Sequence, residues 1–472
     1  MARLVVVSNR VAVPRREGGS QAGGLAVAIH PVLRRHPGIW FGWSGQVATR
    51  SGVTVRTIHR GHQSYVLTDL GEEDYREYYN GYANRVLWPI LHYRLDLAEF
   101  SRRDLSGYLR VNQHFATELH KLLQPDDVVW VHDYHLIPLA KALRELGDRN
   151  RIGFFHHVPF PPPEILTALP NHERLVPAMC HYDLVGFQTK IDAANFTRYL
   201  RDECRMLSRD QYTFQAAERT VRIGIFPVSV ETAQLSRLAR RAAQSPFVRG
   251  VVESLGDRVM IIGVDRLDYS KGIALRMEAF DRFLSTHPEW RGKVTYLQIT
   301  PKSRSEIREY ADMERQIDET AGHINGTYGE ASWTPIRYVN RAHSRSALVG
   351  LYRSARVALV TPLRDGMNLV AKEYVSAQDA ENPGVLILSR FAGAAVECEA
   401  ALLVNPYDPE SVGTAIAEAL SMPLDERRAR HDATFQVLLT NDAKLWGERF
   451  LIALTRPPNF PNRLGEINLA QV

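Results

Sequence analysis

The stretch TPLRDGMNLVAKE, residues 361–373, sets two carboxylates around a turn between a strand-length apolar run, VALVT, and a helical one, LVAKEYVSA. Asp365 can accept hydrogen bonds from sugar hydroxyls, Gly366 leaves the backbone free to turn, and the helix N–H groups near Leu369 and Val370 lack partners within the helix. The positive end of the helix also favours an anion, so this turn suits a sugar beside a phosphate. Glu373 follows Asp365 after seven intervening residues, one turn into the helix and within reach of its mouth. An ordinary strand-to-helix turn capped by Asn368 would read the same way. In DRLDYSKG, Arg266 and Lys271 follow another strand-length run, VMIIGV, and Gly272 precedes a helix. A planar guanidinium and a compact ammonium suit a diphosphate whose negative charge grows as it leaves, doing electrostatically what a divalent metal does elsewhere. Either cation could instead pair with Asp265 or Asp268, and Arg304 in PKSRSE is equally ambiguous.

The elements that must position these residues are legible as two series. LVVV is followed by SNR, so Arg10 stands at a strand's C-terminal edge and points at whatever the sheet binds. Gly23 and Gly24 open the helical segment LAVAIHPVLRRH and let backbone approach a ligand, without GxGxxG spacing. IWFGWSG and EEDYREYYNGYANRVLWPILHYRLD are dense in aromatics, which form core or stack on sugars. From Asp127 the apolar runs VVWV, IGFF, LVGF and IGIF each end in a polar cluster, with helix-length segments between most of them. Pro162 and Pro163 read as a rigid loop. A charged helical stretch after Glu231 is followed by VMIIGV, VTYLQIT, IRYV, VALVT, GVLILS and ALLV. The expected fold is α/β: two Rossmann-like, doubly wound domains, residues 1–230 and 231–455, facing a cleft that holds the active site, with residues 456–472 packing across the surface.

A chain of 472 residues is too long for one core, and 45% apolar with 24% charged residues is ordinary for a globular protein. Basic residues exceed acidic ones by 58 − 53 = 5 but are scattered among acids, as in DERRARHD, which suits small anions rather than nucleic acid. Cys180, Cys204 and Cys398 are odd in number and far apart, as expected of reduced core thiols. His132, Asp133 and His135 match no zinc spacing, and neither metal nor cofactor is expected. No apolar stretch approaches membrane-spanning length and LVVV is too short for a signal sequence, so the expectation is a cytoplasmic protein without membrane contact.

A longer series of motifs carries a resemblance. RLVVVSNR, AGGLAVAI, WFGWSG, EYYN, VLWP, HYRLDL, WVHDYHLIP, RIGFFHHVPFP, DLVGFQT, RLDYSKG, SRSE, NGTYGE and TPLRDGMNLVAKEYVSAQ occur in the order found in bacterial trehalose-6-phosphate synthases, from residue 3 to about 450. Asp365 and Glu373 resemble the acid-x7-Glu pattern of retaining glycosyltransferases with two Rossmann-like domains, the GT-B architecture. The resemblance implies that Arg10, Tyr79 and Arg304 hold the phosphate of glucose 6-phosphate and Asp133 its sugar hydroxyls. It implies that Gly23, Gly24, Arg266 and Lys271 meet the diphosphate of UDP-glucose. Asp365 and His157 would face the donor glucose, and Leu369, Val370, Ala371, Lys372 and Glu373 the nucleotide and ribose. Trp88, with His157, would select the anomer. Two positions depart from the pattern: PVSV at residues 227–230 replaces the usual proline-isoleucine-glycine, and His343 stands where an aromatic often lies near the uracil.

The implied reaction moves glucose from UDP-glucose to the anomeric hydroxyl of glucose 6-phosphate with retention. Asp133 and Asp365 are the candidate nucleophiles for a glycosidase-like route, whereas the resemblance implies front-face attack, with the departing phosphate accepting the proton. Donor base (UDP, ADP or GDP), homo-oligomer formation and effectors are left open. A glucosylglycerol-phosphate synthase, a cyclitol-joining pseudo-glycosyltransferase and a non-catalytic sugar-phosphate sensor are the alternatives.

Overall fold

The computed structural model describes residues 2–14, 24–48, 55–216, 219–302 and 308–456. They form two compact units, one comprising the residues up to Val228 and those from Ala443 onward, the other running from Ser229 to Asp442.

The first unit is built on a ten-stranded sheet among the described residues. Its strands are β1 (Leu4–Arg10), β2 (Gly38–Ala48), β3 (Val55–Arg60), β4 (Gln63–Gly71), β5 (Val128–His132), β6 (Arg151–Phe155), β7 (Leu184–Phe187), β8 (Ser208–Asp210), β9 (Thr213–Ala216) and β10 (Arg219–Ile225), in the order β3-β4-β2-β1-β5-β6-β7-β10-β9-β8. The ladder from β4 through β10 is parallel, and β3, β9 and β8 add antiparallel edges. Val5, Val6 and Val7 of β1 are wholly buried, as a strand covered on both faces requires. The aromatic-rich segment after Gly71 is helical through Leu91, and Tyr75–Leu87 is wound as π-helix. Pro163 is not loop but the first residue of a short helix, Pro163–Leu166, where its missing N–H leaves no bond unmade.

The second unit has, among the described residues, a six-stranded, wholly parallel sheet: β11 (Val259–Val264), β12 (Val294–Ile299), β13 (Ile336–Val339), β14 (Val357–Val360), β15 (Val385–Ser389) and β16 (Leu402–Val404). The order β13-β12-β11-β14-β15-β16 is that of the dinucleotide-binding fold, which reverses direction next to its first strand. One core holds it, with Met277, Phe280 and Phe283 of the helix Ile273–Thr286 packed with Tyr296, Ile317, Trp333 and Ile416.

The helix Ala443–Thr455 departs from the expected boundary, because it belongs to the first unit rather than the second. Trp446 lies 4.9 Å from Trp130, Phe450 stacks on Trp130 at 4.8 Å, and Phe226 meets Phe450 at 5.2 Å. Gly153 of β6 and Gly186 of β7 make room, since a Cβ at either would come within 2.8 Å of the Phe450 ring.

Candidate active site

In the first unit the candidate residues Arg10, Asp133 and His157 stand at or just beyond the C-terminal ends of β1, β5 and β6. The Ser8 hydroxyl accepts from Trp40 Nε1 (2.8 Å) and donates to the Arg10 carbonyl (2.9 Å), and Tyr78 Oη donates to Asn9 (2.8 Å). These bonds fix the end of β1 and leave Arg10 exposed, its guanidinium 5.9 Å from the Trp43 ring. Gly45, at φ 87°, leaves space for that guanidinium: a Cβ there would lie 2.6 Å from its nitrogens. Tyr79 packs on the same Trp43 at 5.4 Å and stacks on Tyr75 and His135 at 5.6 and 6.0 Å. Arg10 and Tyr79 are thus joined through Trp43, which the sequence reading counted only among the aromatics. Arg304 and Gly23 lie outside the described residues; Gly24 is the exposed first residue of the helix Gly24–Leu33.

Asp133 directly follows β5 at φ 77°, ψ 165°, a conformation that is nearly glycine's alone and costs roughly 1–3 kcal/mol elsewhere in a protein. Its N–H donates to the Phe155 carbonyl (2.8 Å) and its Oδ1 accepts from the His157 N–H (3.3 Å). His157 Nε2 meets His132 Nδ1 at 3.0 Å, and burial, with a smaller push from His156, drives the His157 pKa down to about 3, so the ring is neutral. Trp88 is 5% exposed, packed 4.0 Å from His92 and 5.6 Å from Tyr134, within the aromatic layer beneath this surface.

In the second unit the loops after β11 and β14 are sewn together. Leu363 N–H donates to the Ser270 carbonyl (2.7 Å), and Lys271 Nζ donates to Asp365 Oδ2 (2.5 Å). Gly272 is left-handed (φ 64°) and so close to the other loop that a Cβ would sit 2.8 Å from the Thr361 carbonyl oxygen. Beneath both loops lies Arg276, a residue that sequence reading passes over as part of a helix. Its Nε donates to Thr361 Oγ1 (2.8 Å), Nη1 to Asp265 (2.7 Å) and Gln298 (3.2 Å), and Nη2 to the Lys271 carbonyl (3.1 Å). Asp268 accepts from Ser270 and from Tyr310. Neither acid beside Arg266 is paired with it, and that exposed guanidinium has no side-chain partner among the described residues.

In the turn around Asp365 the left-handed residue is Asn368 (φ 73°), and its side chain does not cap the helix, as the ordinary-turn alternative has it, but donates to Asp365 Oδ2 at 3.1 Å. Asp365 Oδ1 accepts from the Met367 N–H at 3.4 Å. The helix Leu369–Ala377 therefore opens with no side-chain cap, and Leu369 and Val370 are partly exposed at its mouth. Ala371 is buried. Glu373 accepts from Arg345 at 3.5 Å, while burial raises its pKa. The Lys372 side chain is fully buried, its ammonium paired with Glu397 at 2.5 Å. His343 leans on Phe247 at 5.2 Å. Among the described residues no group of three or more His, Cys, Asp or Glu is arranged to hold a metal ion, and no helix is long and apolar enough to cross a membrane.

Two parallel-sheet units, the second with dinucleotide-binding strand order and a Lys271–Asp365 pair ahead of the uncapped helix Leu369–Ala377, have the architecture of a glycosyltransferase of the GT-B type. The model of glycosyltransferase family 20 matches residues 2–456, and the chain belongs to that family. It is 52% identical over 457 residues to a trehalose-6-phosphate synthase of Sinorhizobium fredii, spanning 96% of this chain and 98% of the relative. Among solved structures it resembles a UDP-forming α,α-trehalose-phosphate synthase of Burkholderia xenovorans in complex with glucose 6-phosphate (TM-score 0.94, 47% identity, 96% of this chain and 100% of that one). It also resembles an E. coli protein bound with UDP-2-fluoro glucose (TM-score 0.91, 44% identity, 97% and 99% covered).

Proposed function

We propose that this protein transfers glucose with retention from UDP-glucose to glucose 6-phosphate, forming α,α-trehalose 6-phosphate and UDP. The observation that carries the reading is the loop pair of the second unit, where Lys271 is aimed at Asp365 ahead of an uncapped helix N-terminus and Arg266, on the Lys271 loop, is exposed and without a side-chain partner among the described residues. As the glycosidic bond loosens, charge grows on the diphosphate, and these cations and helix amides stabilise it without a metal. Glu373 takes the ribose, and Asp365 and His157 the donor glucose. In the first unit Arg10 and Tyr79, with Arg304, bind the acceptor's phosphate, and Asp133 its hydroxyls. Trp88 acts on anomer choice through Tyr134, which it packs against.

The transfer goes by front-face attack, with the departing phosphate accepting the acceptor's proton, and Asp365, whose Oδ2 accepts from Lys271 and Asn368 and whose Oδ1 accepts from the Met367 amide, holds the donor sugar rather than bonding to it. Nucleoside diphosphate release should be measured with UDP-, ADP- and GDP-glucose against glucose 6-phosphate and glycerol 3-phosphate. Release that needs glucose 6-phosphate, and falls by roughly two to three orders of magnitude in Arg266→Ala, is expected. Release with glycerol 3-phosphate alone, or a fully active Arg266→Ala, refutes the assignment.

A further inference from the structure

Asn84 has no part in the roles given above, yet it is 2% exposed and joins two segments that carry acceptor residues. Its Nδ2 donates to the Tyr79 carbonyl at 2.7 Å, and its Oδ1 accepts from Tyr134 Oη at 3.0 Å. The partners settle which end of the amide is which. A backbone carbonyl can only accept, so the nitrogen faces Tyr79 and the oxygen is left for the Tyr134 hydroxyl.

Asn84 lies five residues after Tyr79, the spacing of a π-helical turn, so its side chain braces a turn of the π-helix Tyr75–Leu87 from within. The other end of the amide reaches the segment after β5. There the unusual backbone of Asp133 (φ 77°) needs support from its surroundings, and both residues after it are anchored. The Tyr134 carbonyl accepts from Tyr108 Oη at 2.7 Å and the His135 carbonyl from Asn112 Nδ2 at 3.1 Å. His135 in turn stacks on the Tyr79 ring at 6.0 Å, and Trp88 packs on Tyr134 at 5.6 Å. Tyr79 is thus tied to this segment twice, at its carbonyl through Asn84 and at its ring through His135. Because Tyr134 directly follows Asp133 in the chain, the two ties set the separation of Tyr79 from Asp133.

We infer that Asn84 is a positioning residue of the acceptor site, holding Tyr79 and Asp133 in one register so that the phosphate and the hydroxyls of a single sugar phosphate are met together. The inference rests on the proposed roles of Tyr79 and Asp133 in binding glucose 6-phosphate.

The test is calorimetric binding of glucose 6-phosphate to the full-length protein, with the KM of each substrate measured beside it. Asn84→Leu keeps the size of the side chain but makes neither bond. Tyr134→Phe deletes only the hydroxyl and keeps the ring, so it serves even where Asn84→Leu fails to fold. In each folded variant the affinity for glucose 6-phosphate should fall about tenfold, the worth of one lost hydrogen bond. The KM for glucose 6-phosphate should rise with it while the KM for UDP-glucose holds, a split that a merely structural role would not produce. Wild-type affinity in Tyr134→Phe, or an equal rise in both KM values, overturns the inference. Tyr79→Phe and Asp133→Asn test the reading beneath it. Weakened binding in these two beside wild-type binding in the Asn84 and Tyr134 variants removes Asn84 alone, whereas wild-type binding in both removes the acceptor reading and the inference with it.

Discussion

Replacing Arg276 by Met should unfasten the loops of the second unit, and the structure sets the size of the effect. The side chain is 1% exposed and holds Asp265, itself 6% exposed, at 2.7 Å. Removing one partner of such a pair strands a buried charge, at a cost of about 3–5 kcal/mol. Thr361, Gln298 and the Lys271 carbonyl lose their donor in the same step. For a domain of this size each kcal/mol is worth about 2–4 °C, so the melting transition of the second unit should drop by roughly 6–20 °C. Activity measured below the new transition should still fall, because Lys271 loses the anchor of its own carbonyl. The double variant Arg276→Met/Asp265→Leu separates charge pairing from mere packing. Taking away Asp265 as well removes the stranded charge, so the double variant should be more stable than Arg276→Met alone. An Arg276→Met protein within 1 kcal/mol of wild type, or a double variant losing the full sum of the single effects, would refute the argument that this pair pins the site.

Gly393→Ala should disturb the same site from the other side: its Cβ would lie 1.9 Å from the Gly366 carbonyl oxygen, on the segment whose Gly393 N–H donates to the Asp365 carbonyl. A fall of about tenfold or more in kcat/KM is expected, the size of one misplaced hydrogen bond, while Gly250→Ala, whose Cβ meets nothing within 4 Å, should be neutral or slightly stabilising; equal behaviour of the two would count against it. Acid should weaken the first unit early. Burial lowers the His156 pKa from 6.5 to about 4, so the unfolded chain binds the proton first and stability present above pH 6.5 is lost as pH falls toward 4. The loss amounts to roughly 3 kcal/mol. In urea titrations at pH 7.5 and 5, His156→Gln should show a smaller difference between the two midpoints than wild type, and an unchanged difference would exclude His156 as the source.

What was legible in the chain was what lies on strand ends. Runs such as VMIIGV and VALVT are apolar throughout because parallel strands are covered on both faces, and of the residues that follow them Lys271 and Asp365 are brought within bonding distance by the order of the sheet. IWFGWSG was harder: its aromatics read as core or site, and in β2 they serve as both, since Trp40 is buried while Trp43 carries Arg10 and Tyr79. The π-wound Tyr75–Leu87 departs from the 3.6-residue period on which helix reading depends.

The remaining misses share one cause, that chain order does not say which surface a residue will meet. Nothing in AKLWGERFLIALT names the sheet it covers, though the glycines in IGFF and LVGF are the complementary signal, holes of the size of Phe450. Arg276 reads as one polar position of a helix and Lys372 as part of a nucleotide site, yet both are buried on acids, Asp265 and Glu397, and Arg276 also reaches Thr361, 85 residues away. A charge aimed at a ligand and a charge that holds the ligand's loops are identical in sequence. They separate only by what lies opposite: Arg266 has no side-chain partner among the described residues, while Arg276 has four groups to bind.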